Sequence, residues 1–196
     1  MIGIVNQALR GWLIERAGRA SWLAVTKTSG VGQADFLTFK EYPDDFTLRL
    51  AESSSEFLGI PRDQVLNKAG EFWITRRGPL VYGDLMEFSS ETFADYLRNI
   101  DRLHTSLVAS LPGIRTPSMR VSQPQASGLT IFYPNALEAF TPFVVGSLTA
   151  LARRFGTEIQ ISPAILLDDG GFAFEIEIET TQSGNSDGPP LIPFVD

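Results

Sequence analysis

One histidine occurs in the 196 residues, and its neighbours limit what it can do. His104 lies in ETFADYLRNIDRLHTSLVASL, residues 91–111. There Phe93, Tyr96, Leu97, Ile100, Leu103, Leu107, Val108 and Leu111 recur at the i, i+3, i+4 spacing of one buried helix face. An imidazole inside that stripe needs a partner, because an unsatisfied buried polar group costs about 1–3 kcal/mol. A carbonyl, a carboxylate, a water or a metal would serve.

Other chemistries fall away on composition. The chain has no cysteine, which excludes disulfides, thiolate nucleophiles and the common structural zinc sites. With one histidine, a multi-histidine metal site within one chain is impossible. No nucleophile elbow, P-loop or dinucleotide glycine fingerprint is present. Asp44–Asp45, Asp168–Asp169 and the glutamates near the C-terminus read as caps, turns and a solvated face. No catalytic set results, and the chain reads as a non-enzyme. Two readings of His104 stand: a core histidine with satisfied ring nitrogens, or an axial ligand to a haem iron, which needs one imidazole and an apolar cavity. The residues alone favour the first.

The elements that must position His104 divide by periodicity. Ile4, Ala8, Leu9, Trp12 and Leu13 mark a first helix stopped at Gly18, and Trp22–Thr28 a short second one. Asp44–Leu58 is helical and ends at Gly59, and Pro61 opens a helix over Arg62–Thr75 that should stop before Gly78–Pro79. Asp84–Phe88 reads as a short turn, and Ser90 with Glu91 starts the His104 helix. After Pro112–Gly113 the period becomes two. Met119–Ser122 and Leu129–Tyr133 read as strands, and Phe140–Phe155 as a helix with Pro142 in its first turn and Gly156 as C-cap. Glu158–Leu166 and Phe172–Glu179 read as strands joined by a turn at Asp168–Gly171.

The expected fold class is α+β, a helical N-terminal subdomain followed by an antiparallel sheet with a crossover helix, around one core. The domain spans residues 1–181, and residues 182–196, rich in Gly, Ser and Pro, read as a flexible tail. The 43% hydrophobic content, with 14 Phe, suffices for a large core. A net charge of −7 disfavours nucleic acid and anionic membranes as partners. No run of 18 apolar residues and no signal peptide are present, so a cytoplasmic location is expected.

Several segments together resemble the H-NOX (haem nitric-oxide/oxygen-binding, HNOB) family. These are MIGIVNQAL, DDFTLRLAESSSEFLGIP, AGEFWI, VYGDLM, FADYLRNIDRLHTSL and FVVGSLTALARRFG, from Met1 to about Glu179. The resemblance implies haem b in a pocket between the two subdomains, with His104 as proximal iron ligand and Pro117 packed on the macrocycle. It implies a gas-binding face lined by Ile4, Trp73 and Phe143 and bordered by Tyr82. Pro142 falls where oxygen-binding members carry a hydrogen-bonding tyrosine, which implies binding of NO and CO with discrimination against O2. By the same resemblance, NO loosens the bond to His104. The output then passes to a separate histidine kinase, cyclic-di-GMP enzyme or cyclic-nucleotide enzyme.

One family motif is broken. The Y-x-S-x-R that holds the haem propionates is here Tyr133-Pro134-Asn135-Ala136-Leu137. Tyrosine is kept, Asn135 can still hydrogen-bond a carboxylate, and Leu137 cannot. Loss of a bidentate arginine should loosen the haem unless Arg115 or Arg120 substitutes. The alternative is a haem-free interaction module on the same fold. Peroxidase-like chemistry would want a second histidine.

Overall fold

The computed structural model describes residues 3–32, 35–82, 90–110, 119–122, 128–134, 136–168 and 170–179; side chains at 82, 101, 103–108 and 110 are outside the description. The expected turn at Asp84–Phe88, the positions of Pro117 and Asn135, and the tail 182–196 all lie outside the described residues.

The N-terminal part is four helices: α1 (Gly3–Ala17), α2 (Arg19–Thr28), α3 (Asp44–Leu58) and α4 (Arg62–Phe72). Gly18, at φ 81°, separates α1 from α2, and Gly59, at φ 66°, closes α3 in the left-handed conformation that suits glycine. The C-terminal part contains α5 (Gly78–Tyr82), α6 (Phe93–Ser110), α7 (Thr141–Arg154) and the strands β1 (Arg120–Val121), β2 (Gly128–Tyr133), β3 (Glu158–Ile161), β4 (Ile165–Leu166) and β5 (Phe172–Glu179). The sheet is antiparallel in the order β1-β2-β5-β3, with β4 also paired to β5. The α+β architecture is the expected one.

Two boundaries differ from the sequence expectation, each for a local reason. Gly78–Pro79 does not stop the fourth helix. The chain runs through a π segment, Trp73–Arg77, straight into α5. The residue before proline is normally kept out of the helical region partly by its Cβ. Gly78 has none and sits at φ −54°, ψ −50°. The strand expected over Glu158–Leu166 is broken at Ser162-Pro163-Ala164. The register with β5 shifts by one residue between Ile161↔Ile176 and Ile165↔Ala173, a bulge at a proline on a sheet edge. Ser162 bridges the break: its amide donates to the Glu175 carbonyl at 2.9 Å, and its hydroxyl accepts the Glu175 amide at 3.0 Å.

The single expected core is two. Leu9, Leu13, Trp22, Val25, Leu50, Val65 and Leu66 form one buried cluster among the N-terminal helices. Phe93, Leu97, Ile131, Leu151, Phe172, Phe174 and Ile176 form another between the sheet and α6/α7. The two meet where α4 crosses α7, a crossing made by glycines, Gly70 and Gly146, with no side chains to interdigitate.

Candidate functional site

Helix α6 carries His104, and its cap lies two residues after Ser90, the residue expected to start it. Thr92 is the cap. Its Oγ1 accepts the Asp95 amide at 3.1 Å and donates to Asp95 Oδ2 at 2.7 Å. This is the T-x-x-[DE] box, present in the sequence and overlooked there. Beyond the cap, Phe93, Tyr96 and Leu97 are buried. The rings of Phe93 and Tyr96 pack on Phe155 at the end of α7, at 6.4 and 5.4 Å. Burial raises the Tyr96 phenol above its ordinary pKa, and the nearby Arg154 cation pulls it back. Thus the first half of α6 is seated on the C-terminal cluster. His104 follows Leu97 by seven residues, two turns, so its backbone position falls on the same helix face. Its imidazole is outside the described residues.

Phe143 lies at the α4–α7 crossing, and Trp73 lies near it along the chain of α4. A Cβ on Gly70 would overlap the carbonyl of Phe143, and Ser147 Oγ donates to the carbonyls of Phe143 (2.9 Å) and Gly70 (3.3 Å). Asn67 Nδ2 donates to the Pro142 carbonyl at 3.3 Å. Trp73 lies one turn beyond Gly70, at the first position of the π segment, and packs on the C-terminal cluster, whereas Phe143 packs on the N-terminal one. The seam between the cores therefore runs between them. The π segment is closed by the Gly78 amide on the Trp73 carbonyl, five residues back. Sequence reasoning missed it, and only Gly78–Pro79 hinted that the helix was unusual.

Ile4 is 3% exposed near the start of α1, with its amide on the Thr38 carbonyl at 3.0 Å. One turn later Gln7 ties three segments together. Its Oε1 accepts from Arg77 Nη2, and its Nε2 donates to the Phe36 carbonyl at 2.5 Å. Gly11, a further turn on, faces the ring of Phe72. Helix α1 thus runs antiparallel to α4 and the π segment, which directs its Ile4 end toward α5 and Tyr82. The Gln7–Arg77 clamp was not anticipated from the sequence.

Tyr133 ends β2. Its ring is half-buried and stacks on Phe172 at 5.2 Å, and burial raises its phenol well above the ordinary value of 10.0. A phenol held protonated is a donor suited to a carboxylate. Leu137, in the position of the family's arginine, is 46% exposed. Arg120 does not replace that arginine. It pairs across the ladder with Phe132, and side chains alternate along a strand, so it occupies the opposite sheet face from Tyr133. Arg115 lies outside the described residues. The described donor set therefore fits an apolar macrocycle with a neutral donor at one acidic edge, without a cationic clamp from β1 or β2. Among the described residues no group of three or more His, Cys, Asp or Glu is placed to hold a metal ion. No described helix is long and apolar enough to cross a membrane.

Comparison with known proteins agrees with this arrangement. The chain is 27% identical over 180 residues to soluble guanylate cyclase gcy-33 of Caenorhabditis elegans, covering 90% of this chain and 19% of that protein. It is 25% identical over 190 residues to soluble guanylate cyclase 89Da of Drosophila melanogaster, covering 96% and 27%. It therefore spans about a fifth to a quarter of the length of these relatives. The fold matches an unliganded Fe(II) H-NOX protein from K. algicida (TM-score 0.79, 18% identity, 94% of this chain and 100% of that one). It also matches an H-NOX protein from S. oneidensis in the Fe(II)NO ligation state (TM-score 0.78, 16% identity, 92% and 100%). The Haem-NO-binding family model matches residues 2–163, and the chain belongs to that family.

Proposed function

We propose that this domain is a haem-based NO sensor whose haem b sits at the seam between the two cores, ligated by His104 Nε2. The observation that carries the reading is the coincidence of the family match with a sole histidine, on the helix face that seats α6 against the C-terminal core. A bound haem, held by His104, would supply the ferrous iron that takes up NO or CO. Ile4, Trp73, Phe143 and Tyr82 line or border the gas side, Pro117 packs on the ring, and Tyr133 and Asn135 donate to the propionates. His104 holds α6 in place while it ligates and frees it otherwise. Movement of α6 is transmitted through Phe93 and Tyr96 to Phe155 at the end of α7. The shift is a change of population, so NO must favour the released arrangement over the ligated one. Pro142 brings no donor to the gas side, which argues for discrimination against O2. The output goes to a separate histidine kinase, cyclic-di-GMP enzyme or cyclic-nucleotide enzyme, from a cytoplasmic domain.

The exposed Leu137 and the misdirected Arg120 favour a second reading, a haem-free interaction module. The visible spectrum of the purified protein, before and after hemin, dithionite and NO, separates the two. A Soret band that moves on reduction and again on NO, and is lost in His104→Ala, is expected for the sensor. No Soret band in excess hemin selects the module.

A further inference from the structure

Two residues of the proposed gas side sit on separate elements, Ile4 on α1 and Trp73 on the π segment, and one side-chain contact joins those elements. Gln7 follows Ile4 by about one helical turn, and Arg77 ends the segment that Trp73 begins. Gln7 Oε1 accepts from Arg77 Nη2. Gln7 Nε2 donates to the Phe36 carbonyl at 2.5 Å and to Thr38 Oγ1 at 3.3 Å. The Thr38 carbonyl in turn accepts the Ile4 amide at 3.0 Å. Gln7 is thus the common node of the first turns of α1, the 36–38 segment and the π segment.

Stability alone explains this contact poorly. Among the described residues Arg77 pairs with no carboxylate: its guanidinium meets the neutral Gln7 amide, and its Nε is buried with no hydrogen-bond partner. An unmet buried donor costs about 1–3 kcal/mol, about as much as a hydrogen bond from a charged group contributes. A buried donor left in that state calls for another role.

The π geometry supplies one. A π turn carries one residue more than an α turn. That extra residue lets Trp73 pack on the C-terminal cluster while Arg77, four residues later, reaches α1 in the N-terminal part. With Arg77 released, the segment is free to relax to α geometry, in which one residue amounts to about 100° of rotation. The indole of Trp73 then no longer keeps a fixed aspect to Ile4.

We propose that Gln7 and Arg77 are positioning residues for the gas side: their hydrogen bond fixes Ile4 and Trp73 relative to each other and so sets how firmly a diatomic ligand is held. The inference rests on the haem-sensor reading above. Gln7 and Arg77 act through Ile4 and Trp73, and loss of the contact lets the two walls part, so that a bound ligand escapes faster.

Gln7→Met and Arg77→Met, singly and together in the full chain, remove the hydrogen bond while keeping an unbranched side chain. In the ferrous CO complex each single variant should release CO about five-fold faster than the parent, the factor that one ordinary hydrogen bond represents. The double variant should release it no faster than either single, because the two residues act as one unit. Amide hydrogen exchange of the protein as purified gives a readout that does not depend on gas binding. The amides of residues 73–78, whose π turn the Gly78 amide closes on the Trp73 carbonyl, should exchange faster in all three variants, with α3 unchanged. Unchanged CO release, or additive effects in the double variant, overturns the proposal even where exchange quickens, because the clamp then serves the fold alone. Faster CO release with unaltered exchange at 73–78 also overturns it, since the effect would not pass through the π segment. Failure of the parent itself to take up hemin or CO overturns the sensor reading, and this inference with it; the parent's own spectrum separates that case from the others.

Discussion

Gly146 of α7 lies so close to Asn67 of α4 that a Cβ at 146 would overlap the Asn67 carbonyl oxygen and sit 2.8 Å from its carbon. Gly70 has the same relation to Phe143. The neighbours are backbone atoms, which cannot swing aside as a side-chain end would. Gly146→Ala should therefore separate the helices. Overpacking costs about 1–3 kcal/mol, offset by up to ~1 kcal/mol of helix propensity. The expected net loss is about 1–2 kcal/mol in urea unfolding, with Gly70→Ala similar. A gain in stability would mean that the crossing is looser than its geometry states.

The Thr92–Asp95 box fixes where α6 begins. Thr92→Ala should cost about 1 kcal/mol, and Thr92→Ser close to nothing, because the hydroxyl is retained. Thermal unfolding of the three proteins distinguishes these outcomes. If Thr92→Ala is neutral, Ser90 starts the helix as its position in the sequence suggests.

Much of this arrangement is legible in the sequence, and the exceptions share a cause. The α3 boundaries follow from Asp44 at one end and Gly59 at the other, and β5 follows from Phe172, Phe174 and Ile176 alternating with Glu175 and Glu177. Those are local signals. The π segment is not local in origin: Trp73 to Arg77 has ordinary helical composition, and its path is held by Arg77 on Gln7, seventy residues away. Likewise the two cores cannot be told apart by periodicity, since their separation depends on where Gly70 and Gly146 meet. Within the candidate site, the sequence singles out His104 and Tyr133 by residue type and position alone. The failure of Arg120 as a substitute was not, because it depends on a register that pairs it with Phe132.

Tyr133 and Tyr96 both have raised phenol pKa values, chiefly through burial. A raised folded-state value means that both states keep the proton below pH 10.0, where stability is unaffected. Above it the unfolded chain ionises first, so stability falls as pH rises. One such group contributes a slope of about 1.4 kcal/mol per pH unit. Tyr133→Phe should flatten the alkaline limb of stability against pH by about that amount and leave the neutral region unchanged in slope. An identical alkaline limb in the variant would show that Tyr133 ionises freely in the folded protein.

Leu137 is half-exposed beside the strand that ends in Tyr133, so Leu137→Arg returns a cation to the proposed propionate edge with little to repack. A charge-assisted hydrogen bond contributes about 1.5–3 kcal/mol when buried. Exposure at this position screens part of it, so about 1 kcal/mol is the fairer figure. That corresponds to roughly a five-fold slower haem loss at 1.4 kcal/mol per decade. Transfer of haem to an apo-myoglobin acceptor measures the rate. An increase in the rate, or no change, would place the propionates away from the Tyr133 end of β2. Leu137→Gln controls for simple polarity: it is expected to leave the rate close to that of the parent, because it restores a donor without the charge.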